Sequence, residues 1–243
     1  MATLDVSIIV PCYNEESHLQ KSFEAIFELL SKTRYSFEMI FVDDCSNDGT
    51  REIIRQIAQG FPNIQFLFHE KNSGRGGAFL DGIPLAEGKY IGYLDIDLEV
   101  SCIFLVPVLT ELDKNSDAVI VKRHYSIQPD LSFIIRHFLS LGYKFLVRSL
   151  LKIPIMDTES GFKFFKRDVL LALAPLTSNK HWFFDTEIMT FAFYIGYKIK
   201  EVDGLFMRRP DKKSTVRVFR DTLLYFKELY RFKKRLDLLE RPS

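Results

Sequence analysis

The chain is poor in the features that mark several protein classes. Its 243 residues include three cysteines, Cys12, Cys45 and Cys102, an odd number without close pairing, which argues against a disulfide framework or a cysteine zinc site and predicts a reducing compartment. The five histidines, His18, His69, His124, His137 and His181, form no close pair along the sequence, so neither zinc nor a histidine-based triad is indicated. Thr158-Glu-Ser160-Gly161 lacks the first glycine of a nucleophile elbow. No apolar run reaches the roughly 18 residues that cross a bilayer. The longest candidate, Leu131 to Leu151, is broken by Arg136, His137, Lys144 and Arg148. Met1 to Val6 leads straight into a strand-like segment without a basic stretch and apolar core, so no secretory signal is expected. The expectation is a chain on the cytosolic side that does not span the membrane.

Neither charge sign dominates: 33 Lys and Arg stand against 32 Asp and Glu, a net charge of +1. That balance excludes nucleic-acid binding by the whole chain, whose electrostatic footprint would show in the total. The distribution is uneven, however. Arg208 to Ser243 carries 12 basic and 5 acidic residues, leaving 21 against 27 for everything before it, so the body is acidic and the tail basic.

With 47% hydrophobic residues, the chain has the material for a packed core. Apolar and β-branched runs at Val6–Val10, Met39–Val42, Ile64–Phe68 and Tyr90–Leu94 alternate with helical patterns at Glu16–Ser31, Arg51–Gln59 and Gly76–Leu85. This predicts βαβ units, parallel strands and right-handed crossovers, with ligands at the carboxyl ends of the strands. Polar clusters fall at those ends: Asn14-Glu15-Glu16, Asp43-Asp44, Asn72 to Gly77, and Asp95-Ile-Asp97. A fifth strand, Asp117–Val121, is followed by a helix candidate at Leu131–Leu151, by Asp157 to Phe162, and by a short strand and a second helical pattern. Thr215 to Leu239 closes the chain as a basic amphipathic helix. No internal repeat or low-complexity linker is present.

Asp95 and Asp97 fall on the same side of an extended segment, because side chains alternate with a period of two. Two neighbouring carboxylates favour a hard divalent cation, Mg²⁺ or Mn²⁺, shared with substrate phosphates, and Glu99 is a candidate third ligand. The bland alternative is a pair of turn-capping acids. Asp43-Asp44-Cys-Ser-Asn-Asp48-Gly-Thr50 joins a strand to a helix and serves as a cap, while Asp44 is suited to accept hydrogen bonds from a base or ribose. Asn72-Ser-Gly-Arg75-Gly76-Gly77 offers backbone N–H groups and a cation at a helix start, which suits a diphosphate, although turn chemistry also explains the glycines. It is not a dinucleotide fingerprint, since it follows the third strand and lacks the spacing. Arg136, Lys144, Arg148 and Lys152 fall at multiples of four and drift slowly around one side of a helix, a cationic side suited to a phosphate; the bland alternative is solvated charges on an ordinary amphipathic helix.

Taken together, Pro11-Cys-Tyr13-Asn-Glu15, Val42-Asp-Asp44 with Ser46 to Thr50, Asn72 to Gly77, and Asp95-Ile-Asp97 resemble the nucleotide-sugar half of family 2 glycosyltransferases of the GT-A fold. Arg123, Arg136 with Ser140, Asp157-Thr-Glu-Ser-Gly161-Phe-Lys163, Phe184-Asp185-Thr-Glu187, and Arg209 with Ser214 resemble the polyprenyl-phosphate glycosyltransferases, the group containing dolichol-phosphate mannose synthase. The resemblance implies an α/β, Rossmann-like, mainly parallel sheet flanked by helices, with a C-terminal amphipathic helix. It implies that Pro11, Tyr13, Glu15, Asp44, Arg75 and Gly76 hold the nucleotide sugar. Asp95, Asp97 and Glu99 would hold the metal, and Arg123, Arg136, Ser140, Arg209 and Ser214 the acceptor phosphate. Glu99 stands where the family often has Gln, the prolines usual after the metal motif are absent, and Thr215 replaces a lysine expected beside Ser214.

The expected activity is inverting transfer of a hexose from a UDP- or GDP-sugar to a polyprenyl or dolichyl phosphate, with Asp95, Asp97 and Asp157 as the catalytic acids. If the acceptor were a hydroxyl, Asp157 or Asp185 would have to take its proton. Three alternatives stand beside this: a family 2 enzyme acting on a glycan hydroxyl, a non-catalytic nucleotide-sugar-binding subunit docking a membrane partner, and a nucleotidyltransferase. The expected organisation is one domain: residues 1–122 for the donor, 123–214 for the acceptor, and 215–243 as the tail helix. The tail has three readings: a solvated lid on the domain, an interfacial helix and a nucleic-acid arm. A membrane surface or an anchoring subunit is expected, since each basic residue near anionic lipid contributes roughly 1 kcal/mol, and the acidic body without a base-reading module disfavours nucleic acid.

Overall fold

A computed structural model describes residues 4–125, 142–207 and 218–239. The first 94 residues alternate strand and helix, as their periodicity predicts: β1 (Val6–Cys12), α1 (Leu19–Ser31), β2 (Phe37–Asp43), α2 (Thr50–Gly60), β3 (Ile64–Phe68), α3 (Arg75–Gly82) and β4 (Tyr90–Leu94). There follow α4 (Leu105–Asp113), β5 (Ala118–Tyr125), α5 (residues 142–151), β6 (Phe162–Lys166), α6 (Arg167–Leu173), α7 (Phe184–Ile195), β7 (Ile199–Phe206) and α8 (Val218–Leu239).

The strands form one sheet in the order β3-β2-β1-β4-β6-β5-β7. Successive side chains of a strand point to opposite faces. Ile8 and Val10 therefore join a core layer with Phe23 and Ile26 of α1 and Leu105 of α4, while Ile9 joins Phe79 of α3 and Phe184 and Ile188 of α7. Helix α1 buries Leu19, Phe23, Ile26 and Leu30, the stripe that a 3.6-residue period lays on one face. The chain runs outward from β1 to β3 and then returns to place β4 on the other side of β1. This switch point lies between β1 and β4, and sheets of this kind take their ligands at the carboxyl ends of the strands beside it.

Three details depart from the sequence reading. The helical pattern Gly76–Leu85 ends at Gly82, and Ile83–Leu85 tightens into a 3₁₀ turn at Pro84, which has no N–H to continue the helix. Strand β5 runs on to Tyr125, so Arg123 lies within the strand. Strand β6 is antiparallel to both β4 and β5, pairing Phe162 with Leu94, whereas the described pairings β1–β2, β2–β3, β1–β4 and β5–β7 are parallel. An antiparallel strand starts where its neighbour ends, so the segment 157–161 that leads into β6 is delivered beside Asp95.

Candidate active site

The four polar clusters after β1 to β4 come together. Asn14, in the left-handed region at φ 57°, accepts from Asn47 N (2.8 Å) through its side chain and donates its own N–H to Ser46 Oγ (2.8 Å). Glu15 N donates to Thr50 Oγ1 at 2.8 Å, and Gly49 N donates to Glu16 Oε2 at 2.9 Å. These bonds lash the β1 and β2 loops into one rim, with Pro11 at the strand's end and the Tyr13 ring 45% exposed above it.

Asp44 is buried and engaged within the protein. Its carboxylate accepts from Ser73 N (2.7 Å), Ser73 Oγ (3.0 Å) and Gly74 N (2.8 Å), and meets His69 Nδ1 at 2.9 Å. Burial opposes its ionisation, but these bonds win and hold its pKa below the ordinary carboxylate value. In this arrangement Asp44 anchors the Asn72–Gly77 loop. Gly74, at φ 87°, turns that loop into α3. Gly76 is buried, and a Cβ there would come 2.6 Å from the Phe184 ring, so close packing of α3 on α7 requires the glycine.

Arg75, the first residue of α3, is the hub. Its Nη1 donates to Asp95 Oδ1 (2.8 Å) and Oδ2 (2.9 Å), and its Nη2 donates to Asp185 on α7. The Trp182 ring lies 4.7 Å from the guanidinium. Asp185 is fully buried and also meets Lys163 Nζ (2.5 Å) and Tyr93 Oη. Tyr93 was not singled out from sequence, and Lys163 entered only as the last residue of the Asp157-to-Lys163 motif, without a role. The signal was present, because a lysine inside Phe162-Lys-Phe-Phe must point inward or break the apolar face of the strand, and a buried ammonium needs a buried acid.

A second cluster is built on β5, α5 and the segment before β6. Asp157, fully buried, accepts from Arg123 Nε (2.8 Å), Nη2 (2.8 Å) and backbone N (3.0 Å), and Lys144 Nζ stands 3.2 Å away. Burial alone would raise the Asp157 pKa, yet the charges of Arg123 and Lys144 hold it far below the ordinary range. Burial lowers the Lys144 pKa. Glu159, half-buried in the same segment, has its pKa raised by burial against the opposing pull of Arg123. It too was missed, since nothing local distinguishes it from a surface acid. Arg136, Ser140, Arg209 and Ser214, the other expected acceptor residues, lie outside the described residues.

Asp157 suits holding two cations, not receiving a proton, because its oxygens already accept several donors and its pKa is depressed. Asp185 is spent in the same way on Arg75, Lys163 and Tyr93. Among the described residues no group of three His, Cys, Asp or Glu side chains is placed to hold a metal, and Glu99 donates its backbone N–H to Asp97 Oδ1 at 3.1 Å.

The chemistry of the remaining acids, Asp95 and Asp97, fits a divalent cation of the kind shared with a phosphate ligand. The Asp95 side chain is 40% exposed at the end of β4, and Asp97, half-buried, accepts from Glu99 N at 3.1 Å. The Asp95 carboxylate lies against Gly161, where a Cβ would come 1.8 Å from Oδ2, so the glycine makes its cradle. One or two carboxylates with the rest of the shell left to phosphate oxygens and water is the usual way a protein holds Mg²⁺.

Residues 7–173 match the family model described as Glycosyl transferase family 2. The chain is 31% identical over 212 residues to a dolichyl-phosphate beta-glucosyltransferase of Dictyostelium discoideum. It is 32% identical over 209 residues to dolichyl-phosphate beta-glucosyltransferase ALG5D of Trichomonas vaginalis. In both cases the match covers 81% of this chain and 64% of the relative, so the chain spans just under two thirds of their length. Among solved structures, glucosyl-3-phosphoglycerate synthase from Mycobacterium tuberculosis, in complex with Mn²⁺, UDP and phosphoglyceric acid, superposes with a TM-score of 0.72 at 17% identity. That match covers 100% of this chain and 81% of the other. TarS of S. aureus in complex with UDP-GlcNAc gives 0.62 at 20% identity, covering 94% and 66%. At these identities the two structures show a shared fold.

Proposed function

The chain belongs to the family 2 glycosyltransferases, and from that premise we propose that it moves a hexose from a nucleoside-diphosphate sugar to a polyprenyl or dolichyl phosphate, inverting the anomeric centre. One observation carries the choice of acceptor. The two carboxylates that a hydroxyl acceptor would call on, Asp157 and Asp185, are both consumed by buried cations. An ionised phosphate attacks without a strong base, and what it needs is positive charge, which Arg123 and Lys144 bring to one place. The names of the relatives from Dictyostelium discoideum and Trichomonas vaginalis support the same acceptor class.

In this reading the Pro11–Glu15 rim and the loop anchored by Asp44 receive the UDP- or GDP-hexose. Asp95 and Asp97 would hold the divalent cation, Mg²⁺ or Mn²⁺, whose chemistry is to neutralise charge growing on the departing nucleoside diphosphate. Arg75 adds a positive charge from the start of α3. Arg123 keeps N–H donors beyond the two side-chain donors that Asp157 accepts, and these, with Lys144, orient the acceptor phosphate for attack on the anomeric carbon. Gly161 is the seam between the halves, touching Asp95 at one end of a segment that Asp157 opens at the other. Arg136, Ser140, Arg209 and Ser214 remain part of the proposed acceptor site. No helix among the described residues is long and apolar enough to cross a membrane, and we assign the protein to the cytosolic membrane surface through the cations of α8.

The test is turnover by the purified chain, scored by nucleoside-diphosphate release across UDP- and GDP-hexoses with dolichyl phosphate or a glycan as acceptor. Glycosylated lipid phosphate is the expected product. Glycan product alone gives the hydroxyl-transferase reading, pyrophosphate release a nucleotidyltransferase, and the absence of any product a binding subunit.

A further inference from the structure

Asp95 already has a cation. Arg75 Nη1 contacts both of its oxygens, at 2.8 and 2.9 Å, and Gly161 closes another side of the same carboxylate. A divalent ion approaching Asp95 meets a guanidinium that is only 13% exposed and pinned from behind by Asp185, beneath the Trp182 ring. Two positive charges on one carboxylate repel each other, and the burial of the guanidinium strengthens the repulsion. The Nε–H of Arg75, meanwhile, is buried without an acceptor. An unmade bond of this kind is costly in a protein interior, and a phosphate oxygen is a strong acceptor for it.

We propose that Arg75 is a positioning residue that occupies Asp95 until the donor's diphosphate draws the guanidinium away, so that the divalent cation binds strongly only in company with the nucleoside diphosphate. This rests on the metal-assisted reading of the site given above. Its consequence is an order of assembly: nucleotide and cation enter together, and the empty enzyme discriminates against free cation. By linkage, whatever factor the nucleotide contributes to cation affinity, the cation contributes to nucleotide affinity.

The experiment is titration of the full chain with Mn²⁺, followed by the electron paramagnetic resonance of the free ion. The titration is run without nucleotide and then with UDP or GDP after subtraction of a protein-free control. It compares the unmodified protein with Arg75→Gln and Arg75→Lys, with circular dichroism reporting the fold. Without nucleotide, Arg75→Gln is expected to bind Mn²⁺ about tenfold more tightly than the unmodified protein, within the usual span of coupling between sites. Arg75→Lys, which keeps the charge but loses the fork, falls between. A merely structural arginine would give weaker or equal Mn²⁺ binding on removal, and that result overturns the proposal. If Arg75→Gln does not fold, Arg75→Lys decides by the same criterion. Failure of every form to bind Mn²⁺ even with UDP or GDP overturns the metal-assisted reading together with this one. Equal Mn²⁺ affinity in all forms, with nucleotide enhancement retained, overturns this proposal alone.

Discussion

Asp157 and Arg123 meet side-on, two guanidinium nitrogens on two carboxylate oxygens at 2.8 Å each, with the Arg123 backbone N–H 3.0 Å from the same carboxylate. The pair bridges β5 to the segment before β6, and Lys144 adds a third element, α5. Removing one partner of such a buried pair strands the other charge.

Asp157→Asn should therefore cost about 3–5 kcal/mol of folding stability at neutral pH, measured by urea denaturation. The sign of its pH dependence follows from the depressed pKa. The stabilisation is complete above the unfolded carboxylate value of about 3.9 and is lost as pH falls toward the lower folded value. The stability gap between unmodified protein and variant should be constant through neutral pH and shrink below about pH 4. A gap that shrinks instead on raising the pH contradicts the assignment.

At the other end of the segment, Gly161→Ala should push the Asp95 carboxylate out of its cradle, since no shift smaller than the missing space relieves a 1.8 Å approach. Transfer should fall by about 10²-fold, as for loss of one preorganised charge-stabilising group, while overpacking costs only about 1–3 kcal/mol of stability. Asp97→Ala should lower transfer by about as much, 10²-fold, at saturating Mg²⁺ or Mn²⁺. Unchanged turnover in Asp97→Ala would remove the metal from the mechanism.

Glu159 separates the two acceptor classes. Burial keeps its carboxyl more readily protonated than a surface glutamate, and among the acids of the segment 157–161 it is the one not consumed by the Arg123 and Lys144 pairing. With a phosphate acceptor, Glu159→Gln should change kcat by less than about tenfold, because no base is required. With a hydroxyl acceptor, the same variant should lose about 10²-fold or more, and kcat should lose its acid limb.

Helix α8 buries Leu229, Phe232 and Leu236, with Phe232 ring against Phe183 and Phe191, and turns Lys227, Tyr230, Arg231 and Lys234 outward. The triple variant Lys227→Gln, Arg231→Gln, Lys234→Gln should bind anionic vesicles about 10²-fold more weakly in co-sedimentation, at roughly 1 kcal/mol for each charge. Binding of the unmodified protein should also fall as salt is raised. Salt-independent binding, or none, would count against attachment through this face.

By itself the sequence determined the βα alternation, the ends of β3 and β4, and the polar clusters after the first four strands. Those features follow from the side-chain period and from turn chemistry, both of which act between near neighbours in the chain. Asp95, Asp97 and Arg75 could be named as chemical groups on that basis, whereas Arg123 was named only through the family resemblance. What each of them touches was decided only by tertiary structure. The antiparallel insertion of β6 carries Gly161 to Asp95 and Asp157 to Arg123, and the packing of α7 on α3 sets Asp185 against Arg75 across 110 residues of sequence. Charge pairing in a protein interior depends on distance and desolvation, which sequence spacing does not encode, so the cation partners of Asp157 and Asp185, the two acids a hydroxyl acceptor would call on, came into view only in the fold.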